Sequence, residues 1–307
     1  MARATREAYG EELAKLVQED PKIVVLDADL AGSTHSIKAG KVAPERFFDM
    51  GIAEADMIGT AAGLAASGYT AFASTFAMFA TGRPWEQIRN SVVYPHLNVK
   101  IAGSHAGISV GEDGVSHQAI EDIAIMRSIP MMEIYCPADA AETKAVVDYV
   151  AKTTEPCYIR LGRAKVEDVY EEGNVPDITK IHVLAQGKKI AVFATGLMVK
   201  SALEAREMLL KEGVDITVVD VCAIKPADEA GIVEVLKNHD VIFTAEEHNI
   251  INGLGSMIAE VSVTHCPRFI YRIGLPDTFA ESGSAAVLLH AYGLDGEGVY
   301  KAIKSRI

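Results

Sequence analysis

The sequence predicts an α/β protein made of two doubly wound domains, each with a mainly parallel sheet. Apolar runs of strand length alternate along the chain with stretches of helical period. The apolar runs are continuous and do not alternate with polar residues, which is typical of parallel strands covered by helices on both faces. A chain of 307 residues is also long enough for about two domains of ordinary size.

The first domain is predicted over residues 1–168 and begins with a helix. Four apolar residues recur at the spacing of one helix face: Tyr9, Leu13, Leu16 and Val17. Pro21 ends this helix ahead of a strand at 23–26. Further apolar runs predict the other strands of the same sheet, at 70–74, 99–103, 132–136 and 157–161.

A change of composition separates the two domains. The stretch 165–189 is acidic and contains proline and glycine, which predicts a linker at 169–187 and a smaller second domain at 188–307. A helix is predicted at 199–212, ended by Gly213. The predicted strands of this domain are 190–195, 216–221, 241–245 and 269–273. No Gly-x-Gly-x-x-Gly segment follows any of them, so a dinucleotide site has no support.

Charge and hydropathy exclude some partners. Lys and Arg number 29 against 42 Asp and Glu, and the formal charge of −13 disfavours nucleic acid or an anionic membrane as a partner. Any anionic ligand must therefore be held by a few local cations. The stretch 57–82 carries no charge and is long enough to span a bilayer. Its glycine and hydroxyl residues predict instead a small-residue helix followed by a strand in a soluble core.

The cysteines and the N-terminus predict a cytoplasmic protein. The four cysteines are scattered, with neither a Cys-x-x-Cys pair nor metal-ligand spacing: Cys136, Cys157, Cys222 and Cys266. We expect buried thiols in a reducing compartment. The N-terminal residues lack the apolar core of a signal peptide.

The segment 104–118 carries an unusual concentration of reactive and turn-forming residues. It places His105 and His117, two acidic residues and three glycines directly after an apolar strand. Glycine allows the backbone to turn sharply and to approach a ligand closely. Histidine and aspartate exchange protons or hydrogen bonds with polar substrate groups. The segment predicts an active-site wall, and an ordinary polar loop is the alternative.

Three segments resemble the C-terminal half of transketolase, which comprises the pyrimidine-binding and C-terminal domains of that thiamine diphosphate enzyme family. Residues 111–118 (GEDGVSHQ) resemble the family signature GEDGPTHQ, with Val115 and Ser116 replacing Pro and Thr. Residues 49–55 (DMGIAEA) are similar to the segment that carries the cofactor-activating glutamate. Residues 74–79 (STFAMF) resemble the segment with an aromatic pair at the cofactor. The resemblance covers essentially the whole chain.

For the cofactor, the resemblance implies thiamine diphosphate bound by Glu54, Phe76, Phe79 and Asp29. Glu54 would hydrogen-bond the pyrimidine N1′ and so take part in catalysis, and Phe76 and Phe79 would pack against the aminopyrimidine ring. The alternatives are structural. Glu54 also suits a helix N-terminus, the two phenylalanines suit a core at helical spacing, and Asp29 suits a solvated surface.

For the substrate, the resemblance implies a cradle around the terminal phosphate of a sugar. Its members would be Arg6, Ser33, His105 and Arg163. Arg160, three residues before Arg163, could take the place of Arg163, and Arg6 also suits a solvated surface. Asp113 would accept a hydrogen bond from a substrate hydroxyl. His117 would bind substrate or transfer protons at the hydroxyketone end and so act catalytically.

The family's N-terminal domain, which holds a divalent metal and the diphosphate, has no counterpart in these residues. The resemblance therefore implies the C-terminal subunit of a split transketolase, with no metal ligand of its own. An N-terminal transketolase subunit would supply the Mg²⁺ ligands, in a hetero-oligomer with two chains of each kind (α2β2). The implied reaction moves a two-carbon ketol unit from a ketose phosphate to an aldose phosphate. A subunit like 1-deoxyxylulose-5-phosphate synthase or the β subunit of a 2-oxoacid dehydrogenase is the alternative.

Hypotheses from other classes have weaker support. Residues 107–111 satisfy the Gly-x-Ser-x-Gly pattern of the nucleophile elbow of a serine hydrolase. This elbow needs a helix directly after its serine, but the helical pattern begins only near Ser116. His117 and Glu121 have the spacing of a metal pair without a third ligand. A non-catalytic scaffolding subunit is disfavoured by Glu54 together with the complete sugar-binding set.

Overall fold

The computed structural model describes residues 2–307 and has the predicted α/β fold. One sheet has seven strands, a second has five, and a short two-stranded pair lies beside them. The strands of the first part of the chain are β1 (Arg3–Ala4), β2 (Ile23–Asp27), β3 (Phe47–Asp49), β4 (Thr70–Phe76), β5 (Val99–Ser104), β6 (Glu133–Tyr135), β7 (Cys157–Arg160) and β8 (Lys165–Val166). Those that follow are β9 (His182–Ala185), β10 (Ile190–Ala194), β11 (Ile216–Asp220), β12 (Ala223–Lys225), β13 (Val241–Asn249) and β14 (Ile270–Leu275).

Helices cover both sheets. In the first part of the chain they are α1 (Thr5–Glu19), α2 (Ala31–Thr34), α3 (Ile37–Val42), α4 (Glu54–Ala66), α5 (Ala77–Gly82), α6 (Trp85–Gln87), α7 (Asp122–Arg127) and α8 (Ala140–Ala151). In the second part they are α9 (Met198–Leu210), α10 (Glu229–Asn238), α11 (Leu254–His265), α12 (Ala285–Ala291) and α13 (Gly296–Lys304). A π-helix spans Ile88–Val93, and 3₁₀ turns span Pro44–Arg46 and Ile108–Asp113.

The first sheet has the order β12-β6-β7-β5-β4-β2-β3 and is parallel except at β12. Strands β2, β4 and β5 are buried along their whole length, which explains why their sequences are mainly apolar. Strand β12 comes from the second part of the chain and pairs antiparallel with β6. The second part of the chain is therefore joined to the first sheet by a strand that the sequence did not predict.

The second sheet has the order β14-β13-β10-β11-β9 and is parallel except at β9. Strand β9 lies within residues 169–187, for which the sequence predicted a linker, and forms an edge of this sheet. Helix α9 covers Met198–Leu210, close to the predicted 199–212, and Gly213 beyond it has φ +79°. Strand β14 starts at Ile270 and continues to Leu275, two residues beyond the predicted end.

Several local predictions are confirmed. The four apolar residues of the predicted first helix are buried in α1. The uncharged stretch 57–82 forms most of α4 and then β4, as a small-residue helix followed by a strand. Within residues 2–307, every helix is too short or too polar to cross a membrane. All four cysteines are free and buried.

Candidate active site

The candidate site lies beyond the carboxyl ends of β2, β4 and β5. These three strands are parallel neighbours, so their carboxyl ends meet at one edge of the first sheet. This edge is the usual place for ligands in open α/β sheets. The chain leaves it through the turn after Asp27, through α5 after Phe76, and through the loop that begins at His105.

An aromatic cluster forms where two of these segments meet. The Phe76 ring stacks on His105 with centroids 3.7 Å apart, and Phe79 lies 5.9 Å from Phe76 with the ring planes 13° apart. His117 meets Phe79 edge-on with centroids 5.2 Å apart. The fold thus brings together four residues that the sequence singled out in two separate motifs. Phe76, Phe79 and His105 are stacked close to parallel, and His117 stands edge-on to the two phenylalanine rings.

Glu54 lies at the first position of α4 and is buried, with 4% of its surface exposed. The half-exposed Arg83 donates to Glu54 Oε1 at 2.6 Å. The Arg83 guanidinium carbon also lies 4.2 Å from the centroid of the Phe79 ring. Arg83 therefore links the buried carboxylate to the aromatic cluster through an ion pair and a cation–π contact.

His105 is held in an uncommon backbone conformation, with φ +60°. Its Nδ1 is 2.9 Å from Ser104 Oγ. Burial lowers the pKa of His105 to about 3, and the positive charges of Arg6 and Arg163 add to this effect. His105 is therefore neutral at physiological pH and can bind a ligand through hydrogen bonds. A residue other than glycine at positive φ often marks a functional site.

Two arginines approach His105 from other elements. Arg6, in the first turn of α1, donates from Nη1 to the Ser33 carbonyl oxygen at 2.5 Å. Burial lowers the pKa of Arg6, and its buried Nε has no hydrogen-bond partner within the described residues. Arg163 donates from Nη1 to the Val110 carbonyl and, at 3.0 Å, to Glu112 Oε2. The unpartnered Nε of Arg6 points to a missing acceptor, as an anionic ligand would provide.

Arg160, the alternative to Arg163, is hydrogen-bonded to other residues of the chain. Its side chain is 6% exposed, and its Nε donates to Asp122 Oδ2 at 2.7 Å. Its Nη2 donates to two backbone carbonyls. A buried guanidinium with these partners is not available to a ligand in the place of Arg163.

The turn after β2 is organised by Asp27, a buried residue that the sequence analysis missed. Its carboxylate accepts hydrogen bonds of 2.7 Å from the Thr34 hydroxyl, the Ser36 hydroxyl and the Leu30 N–H. Burial raises the pKa of Asp27 to about 6. This carboxylate holds the turn that carries Asp29 and Ser33. A charged residue at the end of a continuous apolar run was the available signal.

Two of the predicted site residues, Asp29 and Asp113, are exposed. Asp29 is exposed at φ +62°, and its N–H donates to Asp49 Oδ1 at 3.1 Å. Asp113 is exposed at the end of the 3₁₀ turn.

Comparison with known proteins identifies the family. The protein-family model of the transketolase pyrimidine-binding domain matches residues 1–168. The family model of the transketolase C-terminal domain matches residues 179–299. The chain belongs to the transketolase family. A putative transketolase C-terminal section from Methanocaldococcus jannaschii is 47% identical over 305 residues, which cover 98% of this chain and 95% of that protein. The resemblance inferred from the motifs is confirmed.

Two further relatives of this transketolase-family chain are informative. A 6-deoxy-6-sulfo-D-fructose transketolase subunit from Clostridium sp. is 37% identical over 297 residues, covering 97% of this chain and 92% of that protein. A solved structure of a split-gene transketolase, in an inactive β4 tetramer, has a TM-score of 0.91 and 48% identity. The match covers 98% of this chain and 97% of the chain in that structure.

The transketolase-family chain does not have the geometry of a hydrolase elbow. Ser109 is buried, and the segment after it forms a 3₁₀ turn. Helix α7 begins only at Asp122, later than the pattern near Ser116 indicated, because residues 115–117 form a turn and Ala119 pairs with Ala106 in a β-bridge. Across residues 2–307, no group of three or more His, Cys, Asp or Glu side chains is arranged to hold a metal ion.

Proposed function

We propose that this chain is the C-terminal subunit of a split, thiamine diphosphate-dependent transketolase, which moves a two-carbon ketol unit from a ketose phosphate to an aldose phosphate. The observation that carries the proposal is the aromatic cluster of Phe76, Phe79, His105 and His117 beside the buried Glu54. When bound, thiamine diphosphate supplies a nucleophilic carbon that accepts the two-carbon unit and passes it on.

The residues present fit the aminopyrimidine half of this cofactor. A planar heterocycle needs an apolar face, which Phe76 and Phe79 provide. Its ring nitrogen needs a carboxyl partner away from water, which Glu54 provides. In this proposal Glu54 shares a proton with that nitrogen, and Arg83 keeps the carboxylate oriented through its 2.6 Å contact. Asp29 borders the cofactor from the turn after β2.

The sugar phosphate would lie against the positive side of the site. Arg6 would use its unpartnered Nε on the phosphate, together with Arg163 and the Ser33 hydroxyl. His105, neutral because of burial, would donate a hydrogen bond without contributing charge. His117, at the edge of the cluster, would exchange protons at the hydroxyketone end of the substrate, and Asp113 would accept a hydrogen bond from a substrate hydroxyl.

The metal and the diphosphate would be bound by a second chain, the N-terminal transketolase subunit. In this proposal the Mg²⁺ ligands lie on that partner. Relatives known as a transketolase C-terminal section and as a split-gene transketolase support the same division. We propose an α2β2 hetero-oligomer in the cytoplasm.

The test is ketol transfer from xylulose 5-phosphate to ribose 5-phosphate with thiamine diphosphate and Mg²⁺. It compares this chain alone with the chain mixed with an N-terminal transketolase subunit. Activity only in the mixture is the expected result, and activity of the chain alone would contradict the split enzyme. Because one relative is named for a sulfonated sugar, 6-deoxy-6-sulfofructose is included as a second donor. A mixture inactive with every donor would overturn the proposed reaction.

A further inference from the structure

A buried carboxyl group from the second part of the chain reaches the loop of the candidate site. Glu247 lies in β13 and is 3% exposed. The Ser109 N–H donates to Glu247 Oε1 at 2.6 Å, across 138 positions of sequence. Ser109 lies between His105 and His117, the two histidines of the aromatic cluster. The contact therefore joins the second sheet directly to the segment 105–117, here called the histidine loop.

Gly107 allows this close approach. It has φ +79°, and a Cβ at this position would lie 2.2 Å from Glu247 Cδ. Both features exclude a side chain. The histidine loop therefore passes against the Glu247 carboxyl with no space between them.

Arg160 connects the same strand to the residues that follow the histidine loop. Its Nη2 donates to the Glu247 carbonyl oxygen at 2.9 Å and to the Ala119 carbonyl oxygen at 3.2 Å. The Gly107 N–H also donates to the Ala119 carbonyl oxygen, at 2.8 Å. Asp122 holds Arg160 in place through its ion pair. The entry and exit of the histidine loop are thus held by one buried network centred on the end of β13.

A second contact from the C-terminal part of the chain faces the other side of the histidine loop. Gln118 Nε2 donates to the Glu281 carbonyl oxygen at 2.9 Å. A Cβ on Gly114 would lie 2.2 Å from Ser282 Oγ. The histidine loop is therefore enclosed between β13 and the segment before α12.

We propose that Glu247 is a positioning residue for the active site: the C-terminal domain uses it to hold the histidine loop so that His105 and His117 face the aromatic cluster. Its effect on catalysis rests on the function proposed above, whereas its effect on the loop does not. Glu246, the preceding residue, provides an internal comparison. Its carboxylate accepts from the Leu254 and Gly255 N–H groups at the start of α11.

Hydrogen exchange in the full-length chain tests the structural part. In Glu247→Ala, which removes the acceptor, we expect exchange of amides 104–119 to rise at least about tenfold. Glu247→Gln keeps an oxygen acceptor and should retain most of the protection. Glu246→Gln should change exchange only around residues 253–258. If Glu247→Ala does not fold, Glu247→Asp, which withdraws the carboxyl by one carbon, replaces it. Unchanged exchange at 104–119 in the folded variant would overturn the proposal.

Kinetics of the complex with the N-terminal subunit test the catalytic part. We expect Glu247→Ala to lower kcat for ketol transfer at least about tenfold, while the KM for thiamine diphosphate stays within about twofold. The proposed cofactor contacts of Glu54, Phe76 and Phe79 lie outside the histidine loop, so cofactor binding should be retained when the loop is displaced. General destabilisation of the chain would weaken cofactor binding as well. Glu247→Gln should restore most of kcat. A wild-type complex without activity would contradict the proposed function and leave the exchange result standing. Equal kcat in wild type and Glu247→Ala would overturn the positioning role.

Discussion

Arg83 and Glu54 form an ion pair in which Arg83 Nη1 lies 2.6 Å from Glu54 Oε1, with the arginine side chain 50% exposed and the glutamate 5% exposed. A buried carboxylate needs a partner. Here the partner also lies over the Phe79 ring. Glu54 and Phe79, both proposed to contact the cofactor ring, are therefore connected by a third residue that touches both.

Replacing Arg83 should weaken cofactor binding. Arg83→Gln leaves Glu54 buried with a poorer partner and removes the cation over Phe79. We expect the Kd for thiamine diphosphate in the complex to rise about tenfold, with about 1 kcal/mol lost from the free energy of unfolding. Arg89→Gln, an exposed arginine that contacts Asn90, is the matched control and should change neither quantity. Isothermal titration with the cofactor measures the effect, and equal affinities in both variants would contradict it.

Replacing Arg6 should affect phosphorylated sugars selectively. Arg6→Met removes the guanidinium whose Nε is buried without a partner. We expect the KM for the sugar phosphate to rise about tenfold or more, because a charge-assisted contact is lost. The kinetics with an unphosphorylated donor should be unchanged. Arg3→Met, which removes an arginine paired with Glu11 and Glu172, serves as the control. Equal effects on both kinds of donor would contradict a phosphate contact.

The members of the aromatic cluster, but not their mutual contacts, could be singled out from the sequence because each lies in a short local motif. The strands that position them were predicted because β2, β4 and β5 are buried on both faces and therefore mainly apolar. Arg83 had only a weak signal, as the first charge after the uncharged stretch 57–82.

Long-range contacts could not be predicted in this way. Glu247 meets Ser109 across 138 positions, and neither residue type indicates the other. Strand β12 has three residues and pairs with β6 through the backbone, so its side chains carry little information on the sheet it joins. The late start of α7 follows from the β-bridge between Ala119 and Ala106, a backbone pairing that neither residue type indicates.

Stability should fall as the pH rises from about 6.5 to 8. Burial raises the pKa of both Glu246 and Glu247 to about 7, although Arg160 opposes the shift at Glu247. Between their ordinary values and pH 7 the folded chain therefore binds more protons than the unfolded chain, so deprotonation destabilises the fold. The lowered pKa values of His105 and His248 act in the opposite direction up to about pH 7.5, where the unfolded histidines still bind some protons, so they reduce the net fall near pH 6.5 without reversing it.

Between pH 6.5 and 8, deprotonation of each glutamate should lower the free energy of unfolding by about 1 kcal/mol or less. Urea unfolding at several pH values measures the slope. Glu247→Gln should make the slope shallower, since its side chain does not titrate. A slope that is identical in the variant would show that Glu247 is not the source.

Gly107 should not tolerate alanine. Gly107→Ala introduces both a strained φ and a clash with Glu247, and we expect a loss of about 2 kcal/mol or more in the free energy of unfolding. Gly63→Ala is the matched control, since a Cβ on Gly63 meets nothing within 4 Å and the residue lies inside α4. It should stabilise the isolated chain by about 0.5–1 kcal/mol. Denaturant unfolding of both variants decides this, and a neutral Gly107→Ala would contradict the close packing of the histidine loop.

We propose that Glu54 activates a cofactor in a complex with a second subunit. The most direct test of this role is ketol transfer by Glu54→Gln mixed with the N-terminal subunit, compared with wild type and with Glu45→Gln, an exposed control. We expect a loss of at least about a hundredfold in kcat for Glu54→Gln, because the amide cannot share a proton as the carboxyl does. Glu45→Gln should keep full activity. Wild-type activity in folded Glu54→Gln would rule out this role of Glu54.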